Sequence, residues 1–476
     1  RQLTMSLLNP QSDQYLHLAG AAVALTSSLW WMQSSYRRQI LKDKEERYES
    51  CEKIQLSSVE TSFAMFQSVQ GISTLTWYDG NIEYVRHTML DKVMDICLAN
   101  PWLTGRLVQF GDSSSDVSLV YSKATSESIS IISTRTFQVL STSAGISRDT
   151  PYQELPKRLS QLECLVGPGI DIVDKDEYFF KVRLIPDCTQ PTKKFAMVVS
   201  LAHCVGDGHT FYQLHNMLSK DAKVQVLDPA RKPSLNDDIA TALGGKDQAA
   251  SLADPPPGFI VRFLKGMFLS TLLGPPTKVE LFWINQDWIQ KEKDQVKNDQ
   301  PSTVSHVSTN DVVTARFFQL CETDQGIMSI NFRGKLPGCE PNMAGNYFNY
   351  LVCRPGDCDS PAQIRSSVQE ICNWNRKPTS SPMTSWQHMT SSQLFAATSN
   401  WTTFCKPVDL EGCQQDLHVP VIPCDSQSTP ARFVTGLFLF RPTHAAGKHK
   451  IAAMFAGPPK VLETLQQSGM VGPTVL

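Results

Sequence analysis

Residues 195–214 read FAMVVSLAHCVGDGHTFYQL, and the fold depends on how this stretch divides. Phe195 to Ala202 is an apolar run long enough for one buried strand and too short to cross a membrane. It stops at His203, and Asp207 and Gly208 follow at spacings of four and five. Gly206 and Gly208 bracket the aspartate, so the backbone there can turn sharply or take positive φ. From His209 the period changes, and Phe211, Leu214, Met217 and Leu218 fall on one helical face. The stretch predicts strand, tight turn and helix, with an imidazole carried on the turn.

A neutral imidazole can take a proton from a hydroxyl or amine near pH 7, because its unperturbed pKa lies close by. A turn at the end of a buried strand holds such a base rigidly. Asp207 can tie that turn down through an ion pair instead of touching the ring. A core histidine beside a turn aspartate explains the bare H-x-x-x-D spacing equally well. The apolar strand before it and the amphipathic helix behind it favour the functional reading.

Composition narrows the classes. With 476 residues the chain is long for one domain and comfortable for two. Hydrophobic content of 41% and charged content of 19% describe an ordered globular protein. A formal net charge of −2 without a dense Lys/Arg stripe argues against nucleic acid as a partner. The 13 cysteines are scattered with no C-x-x-C pair, which argues against a disulfide framework or a zinc site and for reduced thiols in the cytoplasm.

His203 to Gly208 resemble the H-x-x-x-D-G motif of the acyl-CoA-dependent acyltransferases of the BAHD, chloramphenicol acetyltransferase and condensation-domain superfamily. Further phrases resemble that family in the same order. IQLSSVETSFAMF (54–66) is similar to its opening segment, with Glu60 where Asp is common, and ANPWLTGRL (99–107) to its N-P-x-L-x-G-R-L. STNDVVTA (308–315) is similar to S-T-N-D-x-x-x-A, SINFRGKL (329–336) to V-D-x-R-x-x-L, GNYFNYL (345–351) to its G-N, and SNWTTF (399–404) to its S-W. Read on their own, residues 308–318 are a helix N-cap followed by an amphipathic helix.

The resemblance implies an α/β fold of two similar chloramphenicol-acetyltransferase-like domains, each a mixed sheet flanked by helices, with a tunnel between them. Residues 1–53 would be an N-terminal extension, 54–225 and 266–476 the two domains, and 226–265 a crossover linker, in keeping with the loss of periodicity over 228–258. It implies His203 as general base, with Gly208 completing its motif and Asp207 in a structural ion pair with Arg333. A buried carboxylate needs a cation in any case, and a bidentate Arg serves best. Ser399 and Trp401 would border an oxyanion or acceptor pocket, while Ser308 and Thr309 would frame the cofactor side. Acyl-CoA enters as co-substrate with a small-molecule alcohol or amine as acceptor, and no metal is implied. A monomer is expected.

Two departures keep rival readings open. Plant members carry D-F-G-W-G after the S-W phrase, where this chain has Asp409-Leu410-Glu411-Gly412-Cys413, a mild point for an inactive scaffold. The first His of the H-H-x-x-x-D-G in condensation domains is Ala202 here, which weakens a reading with a carrier-protein thioester as donor. Near the N-terminus, Leu18 to Met32 is mostly apolar and ends in Trp30 and Trp31, with Arg37 and Arg38 beyond. That is the pattern of a membrane anchor over residues 15–36 with the catalytic part in the cytosol, although the run is shorter than the usual ~20 residues. A soluble helix running into the charged stretch 37–47 fits equally well.

Overall fold

The computed structural model describes residues 35–476, apart from positions within 124–133, 254–276, 299–303, 378–394, 423–434 and 443–449 and the single positions 324, 355 and 357. The first half supplies strands β1 (Glu52–Gln55), β2 (Ile72–Asp79), β3 (Arg106–Gln109), β4 (Val117–Tyr121), β5 (Phe137–Val139), β6 (Phe180–Pro186) and β7 (Lys194–Leu201). The second supplies β8 (Lys278–Ile284), β9 (Gly326–Asn331), β10 (Phe348–Cys353), β11 (Ala396–Asn400), β12 (Gln414–Pro420), β13 (Thr435–Phe440), β14 (Ala452–Gly457) and β15 (Val471–Thr474).

These strands make a five-stranded sheet in the order β12-β2-β7-β6-β5 and a seven-stranded sheet in the order β10-β9-β11-β13-β14-β8-β15. A small sheet, β1-β4-β3, lies beside them. Both large sheets are mixed: β5 is parallel to β6, and β11 is parallel to β9 and β13, among otherwise antiparallel pairs. This is the mixed α/β architecture expected from the sequence.

β7 shows why an unbroken apolar run was needed. It is the middle strand of its sheet, antiparallel to β2 with Ile72 opposite Leu201, and to β6 with Phe180 opposite Leu201. Phe195, Met197, Val199 and Leu201 face a core shared with the helices Ile82–Ala99 and Gly208–Met217. Ala196 and Val198 face the other way, into a core that also holds Leu281, Phe440 and Met454 from the seven-stranded sheet. A strand buried on both faces reads as continuous hydrophobicity, not alternation.

Several expectations change in detail. The reading of 129–140 as strand holds only for β5: residues 134–136 are helical and part of the stretch lies outside the described residues. The patternless 228–258 stretch contains helices Leu235–Ala242 and Lys246–Ala253. In the first, Leu235, Ile239 and Leu243 are buried at spacings of four, a stripe narrow enough to disappear among Asn236, Asp237 and Asp238.

Residues 35–47 are helical and dock by Lys44, which bonds the Gln109 carbonyl and the Asp174 carboxylate at 3.0 and 2.8 Å. The apolar segment before them, 15–34, lies outside the described residues. Among the described residues, no helix is long and apolar enough to cross a membrane.

Candidate active site

The site is built on the turn between β7 and the helix Gly208–Met217. That helix starts where it does because Asp207 caps it, accepting the Thr210 N–H at 3.0 Å through Oδ1. The other carboxylate oxygen accepts from Arg333 Nη1 at 2.7 Å and from the Tyr347 N–H at 3.0 Å. The Asp207 and Arg333 side chains are 6% and 1% exposed, so the pair is desolvated and must be well bonded to persist.

It is well bonded. Besides Asp207, Arg333 donates to the Met343 and Gly345 carbonyls at 2.8 and 2.9 Å, to Thr210 Oγ1 at 3.0 Å and to Asn331 Oδ1 at 3.2 Å. That engages all three guanidinium nitrogens. Burial alone would raise the Asp207 pKa, but the Arg333 charge and these hydrogen bonds hold it below the ordinary carboxylate value.

Gly206 and Gly208 do not take positive φ. A Cβ on Gly206 would stand 2.9 Å from Thr210 Cγ2, and one on Gly208 would stand 3.3 Å from Trp401 Nε1. Close approach is what calls for these glycines. Gly345, at φ +144°, is the position where the backbone requires one, and its carbonyl takes the Asp207 N–H at 3.1 Å.

His203 sits on the turn itself, its Nδ1 shielded from solvent, and its ring centroid lies 6.3 Å from that of Phe348 on β10. Burial lowers its pKa from 6.5, against an opposing pull from its own backbone carbonyl, Asp207, Asn346 and Glu60. Desolvation wins, so the imidazole is neutral at pH 7 and able to accept a proton. The adjacent Cys204 thiol is pushed up to about 12 by burial, which keeps it protonated and unsuited to nucleophilic attack.

Trp401 follows β11 and packs against Gly208 and, ring to ring at 6.0 Å, against Tyr212. Its indole N–H donates to Ser399 Oγ at 3.1 Å, so the hydroxyl hydrogen of Ser399 remains free to donate elsewhere. Ser308 and Thr309 lie at the start of helix Thr309–Leu320. Ser308 and Asp311 form a reciprocal capping box, and Thr309 Oγ1 accepts from Lys293 Nζ at 3.0 Å. No contact between either residue and the His203 turn is present among the described residues.

A cleft of about 420 Å³ opens along the helix behind the turn, lined in part by His209, Gln213, Asn216, Phe404 and Lys406. His203 does not line it. The 409–413 segment closes one end of the same helix: Asp409 bonds Ser219 and Lys220 through its N–H and carbonyl.

Sequence reasoning missed a second buried ion pair. Glu60 Oε2 accepts from Arg231 Nε at 2.8 Å, with the two side chains 0% and 4% exposed. Arg231 also holds the Val205 carbonyl of the histidine turn at 3.0 Å and the Ala344 carbonyl at 2.8 Å. Glu60 was hidden by its local pattern: Ser57-x-x-Glu60 reads as a capping box, and Ser57 N–H does donate to Glu60 Oε2 at 2.9 Å. Arg231 lay in the stretch read as linker.

The turn thus carries a histidine whose neighbouring aspartate is drawn away onto an arginine from the other half of the chain. Solved structures share this fold. TRI3 trichothecene 15-O-acetyltransferase from Fusarium sporotrichioides superposes with a TM-score of 0.55 at 9% identity, covering 88% of this chain and 94% of its own. TRI101 of F. graminearum, solved with coenzyme A and deoxynivalenol, gives 0.53 at 12% identity, covering 87% and 97%. Vinorine synthase gives 0.50 at 10%, covering 89% and 98%. No protein-family model matches the chain, nor does any curated protein. The chain has the fold of the BAHD and chloramphenicol acetyltransferase-like acyltransferases.

Proposed function

We propose that this protein is an acyl-CoA-dependent acyltransferase that moves an acyl group onto a hydroxyl or amine of a small-molecule acceptor, written below for the hydroxyl. Fold alone would not carry an activity. The observation that carries it is the division of labour at the turn: every hydrogen bond of the Asp207 carboxylate comes from Arg333, Thr210 or Tyr347, which leaves the buried His203 without a carboxylate on its ring.

In the reaction, His203 Nε2 takes the hydroxyl proton as the acceptor oxygen attacks the thioester carbonyl. The new C–O bond forms while the carbonyl oxygen becomes an oxyanion, which the Ser399 hydroxyl stabilises by donating its free hydrogen. Trp401 fixes Ser399 by donating to it and walls the acceptor side. Collapse breaks the C–S bond, and the imidazolium returns its proton to the departing CoA sulfur. CoA lies toward the second half of the chain, with Ser308 and Thr309 heading the 309–320 helix beside Lys293.

The test is thiol release from a panel of acyl-CoAs mixed with alcohols and amines. Wild-type protein should turn over. His203→Ala should fold normally and be slower by about 10²–10⁴, the worth of a positioned base. Undiminished turnover in His203→Ala would remove the mechanism, and a silent wild type would remove the function.

A further inference from the structure

Residues 228–231 open the crossover between the halves, and they lie along a short segment of the second half. Asp228 forms an isolated parallel bridge with Met343: its N–H donates to the Asn342 carbonyl at 2.9 Å, and its carbonyl accepts from the Ala344 N–H at 2.7 Å. The Tyr347 hydroxyl donates to the Ala230 carbonyl at 2.6 Å. Held down in this way, Arg231 reaches the histidine turn. Its Nη2 donates to the Val205 carbonyl at 3.0 Å and its Nη1 to the Ala344 carbonyl at 2.8 Å, while Nε holds Glu60.

Glu60 in turn carries Asn346, which is buried. Its Oε1 accepts from the Asn346 backbone N–H at 3.1 Å and from Nδ2 at 3.2 Å, and the same Nδ2 donates to the His203 carbonyl at 2.8 Å. The carbonyls of His203 and Val205, the first part of the turn, are therefore both bonded by this group. Asp207 and Arg333 hold the last part. Residues 344–347 serve both ion pairs. The Ala344 carbonyl and the Asn346 N–H bond the Glu60–Arg231 pair, and the Gly345 carbonyl and the Tyr347 N–H bond the Asp207–Arg333 pair.

We propose that Arg231 and Asn346 are positioning residues: with Glu60 they fix the start of the His203 turn, as Asp207 and Arg333 fix its end, and residues 344–347 join the two ion pairs into one device. What the device sets is the direction in which the backbone presents the imidazole. A misplacement of about 1 Å can cost about 10²-fold in rate. The effect on turnover rests on His203 being the base proposed above. Position 231 calls for arginine, because an ammonium keeps the charge but cannot span the acceptors that three guanidinium nitrogens reach.

The test is Arg231→Lys in the full chain. The protein should fold, with kcat lower by about 10- to 10²-fold, KM for acyl-CoA unchanged and the acidic limb of the kcat/KM profile in place. Combined with Asp207→Asn, the loss in kcat should be smaller than the product of the two single losses, since both act through 344–347. Amide hydrogen exchange reads the device without turnover. In Arg231→Lys the N–H groups of Asp207 and Tyr347, which bond Gly345 and Asp207 and not Arg231, should exchange about fivefold faster, the worth of one weakened hydrogen bond, with the β14 amides unchanged. A lower melting temperature with kcat undiminished, losses that multiply, or unchanged protection of those two amides would each overturn the proposal. If Arg231→Lys does not fold, Tyr347→Phe decides by the same readouts, since it removes only the hydroxyl that pins Ala230. A silent wild type would remove the acyltransferase reading and leave the exchange measurement to decide this one.

Discussion

Asp207 and His203 stand four residues apart on one turn, and their surroundings drive both pKa values down for different reasons. Desolvation dominates at His203; at Asp207 the Arg333 charge and hydrogen bonds overcome desolvation. The signs work out alike for stability. A depressed histidine pKa means the unfolded chain binds the extra proton first, so its contribution is present above the ordinary value of 6.5 and is lost as pH falls toward the folded value. The depressed Asp207 pKa adds stability that is present above 3.8 and lost as pH falls through its lower folded value. Activity should therefore hold through neutral pH with an acidic limb below 6.5, ahead of acid unfolding; a limb above 6.5 in the kcat/KM profile would contradict burial as the main influence on His203. Asp207→Ala leaves the Arg333 guanidinium buried without its counter-charge and should cost about 3–5 kcal/mol in denaturant unfolding. Asp207→Asn retains the oxygen that caps the helix and should lose distinctly less. Equal losses in the two variants would show that charge pairing is not what locks the turn.

At the scale of elements, the strand–turn–helix unit was fully legible, because β7 is buried on both faces and the helix on one, and each burial pattern leaves its own period. Arg333 was legible as a partner for Asp207 because SINFRGKL resembles a family phrase whose arginine pairs with the motif's aspartate; a buried carboxylate demands a cation but does not say which one. The other four acceptors of Arg333 were not, since three of them are backbone carbonyls or a threonine hydroxyl brought in by tertiary contact. The Glu60–Arg231–Asn346 group was hidden for the same reason: its members lie 171 and 286 positions apart, and each has a plausible local reading. The 399–401 segment ties an element to chemistry. β11 runs parallel between β9 and β13, which makes Ser399 part of a rigid sheet, with its hydroxyl oriented by Trp401. If that hydroxyl meets the oxyanion, Ser399→Ala should lower kcat by about 10²–10³ with KM for acyl-CoA little changed. Unaltered kcat in a folded Ser399→Ala protein would reassign the oxyanion donor.

The whole molecule is not two independent halves laid side by side. β12 comes from the second half, yet it closes the edge of the first sheet, pairing with β2 from Asp79 opposite Gln414 to Thr74 opposite Pro420. His418 on β12 reaches Thr76 Oγ1 at 2.8 Å and the Tyr212 hydroxyl at 3.2 Å. Leu417, Val419 and Val421 join the core that lies between the two large sheets, beside Leu75 and Trp77 of β2. Remove the second half and β2 becomes an open edge flanked by an uncovered apolar face, the arrangement that templates aggregation. The His203 turn would suffer too, because Arg333 and Asn346 both come from that half. A fragment spanning 35–253 should therefore be insoluble or associated when expressed alone, and co-expression with 277–476 should restore a soluble complex with measurable thiol release. Size-exclusion chromatography and thermal melting of the fragment decide the matter: a monomeric 35–253 with its own cooperative transition would mean that the first sheet does not need β12. In that case the exchanged strand would serve the site alone, holding Tyr212 and the helix behind His203 in place.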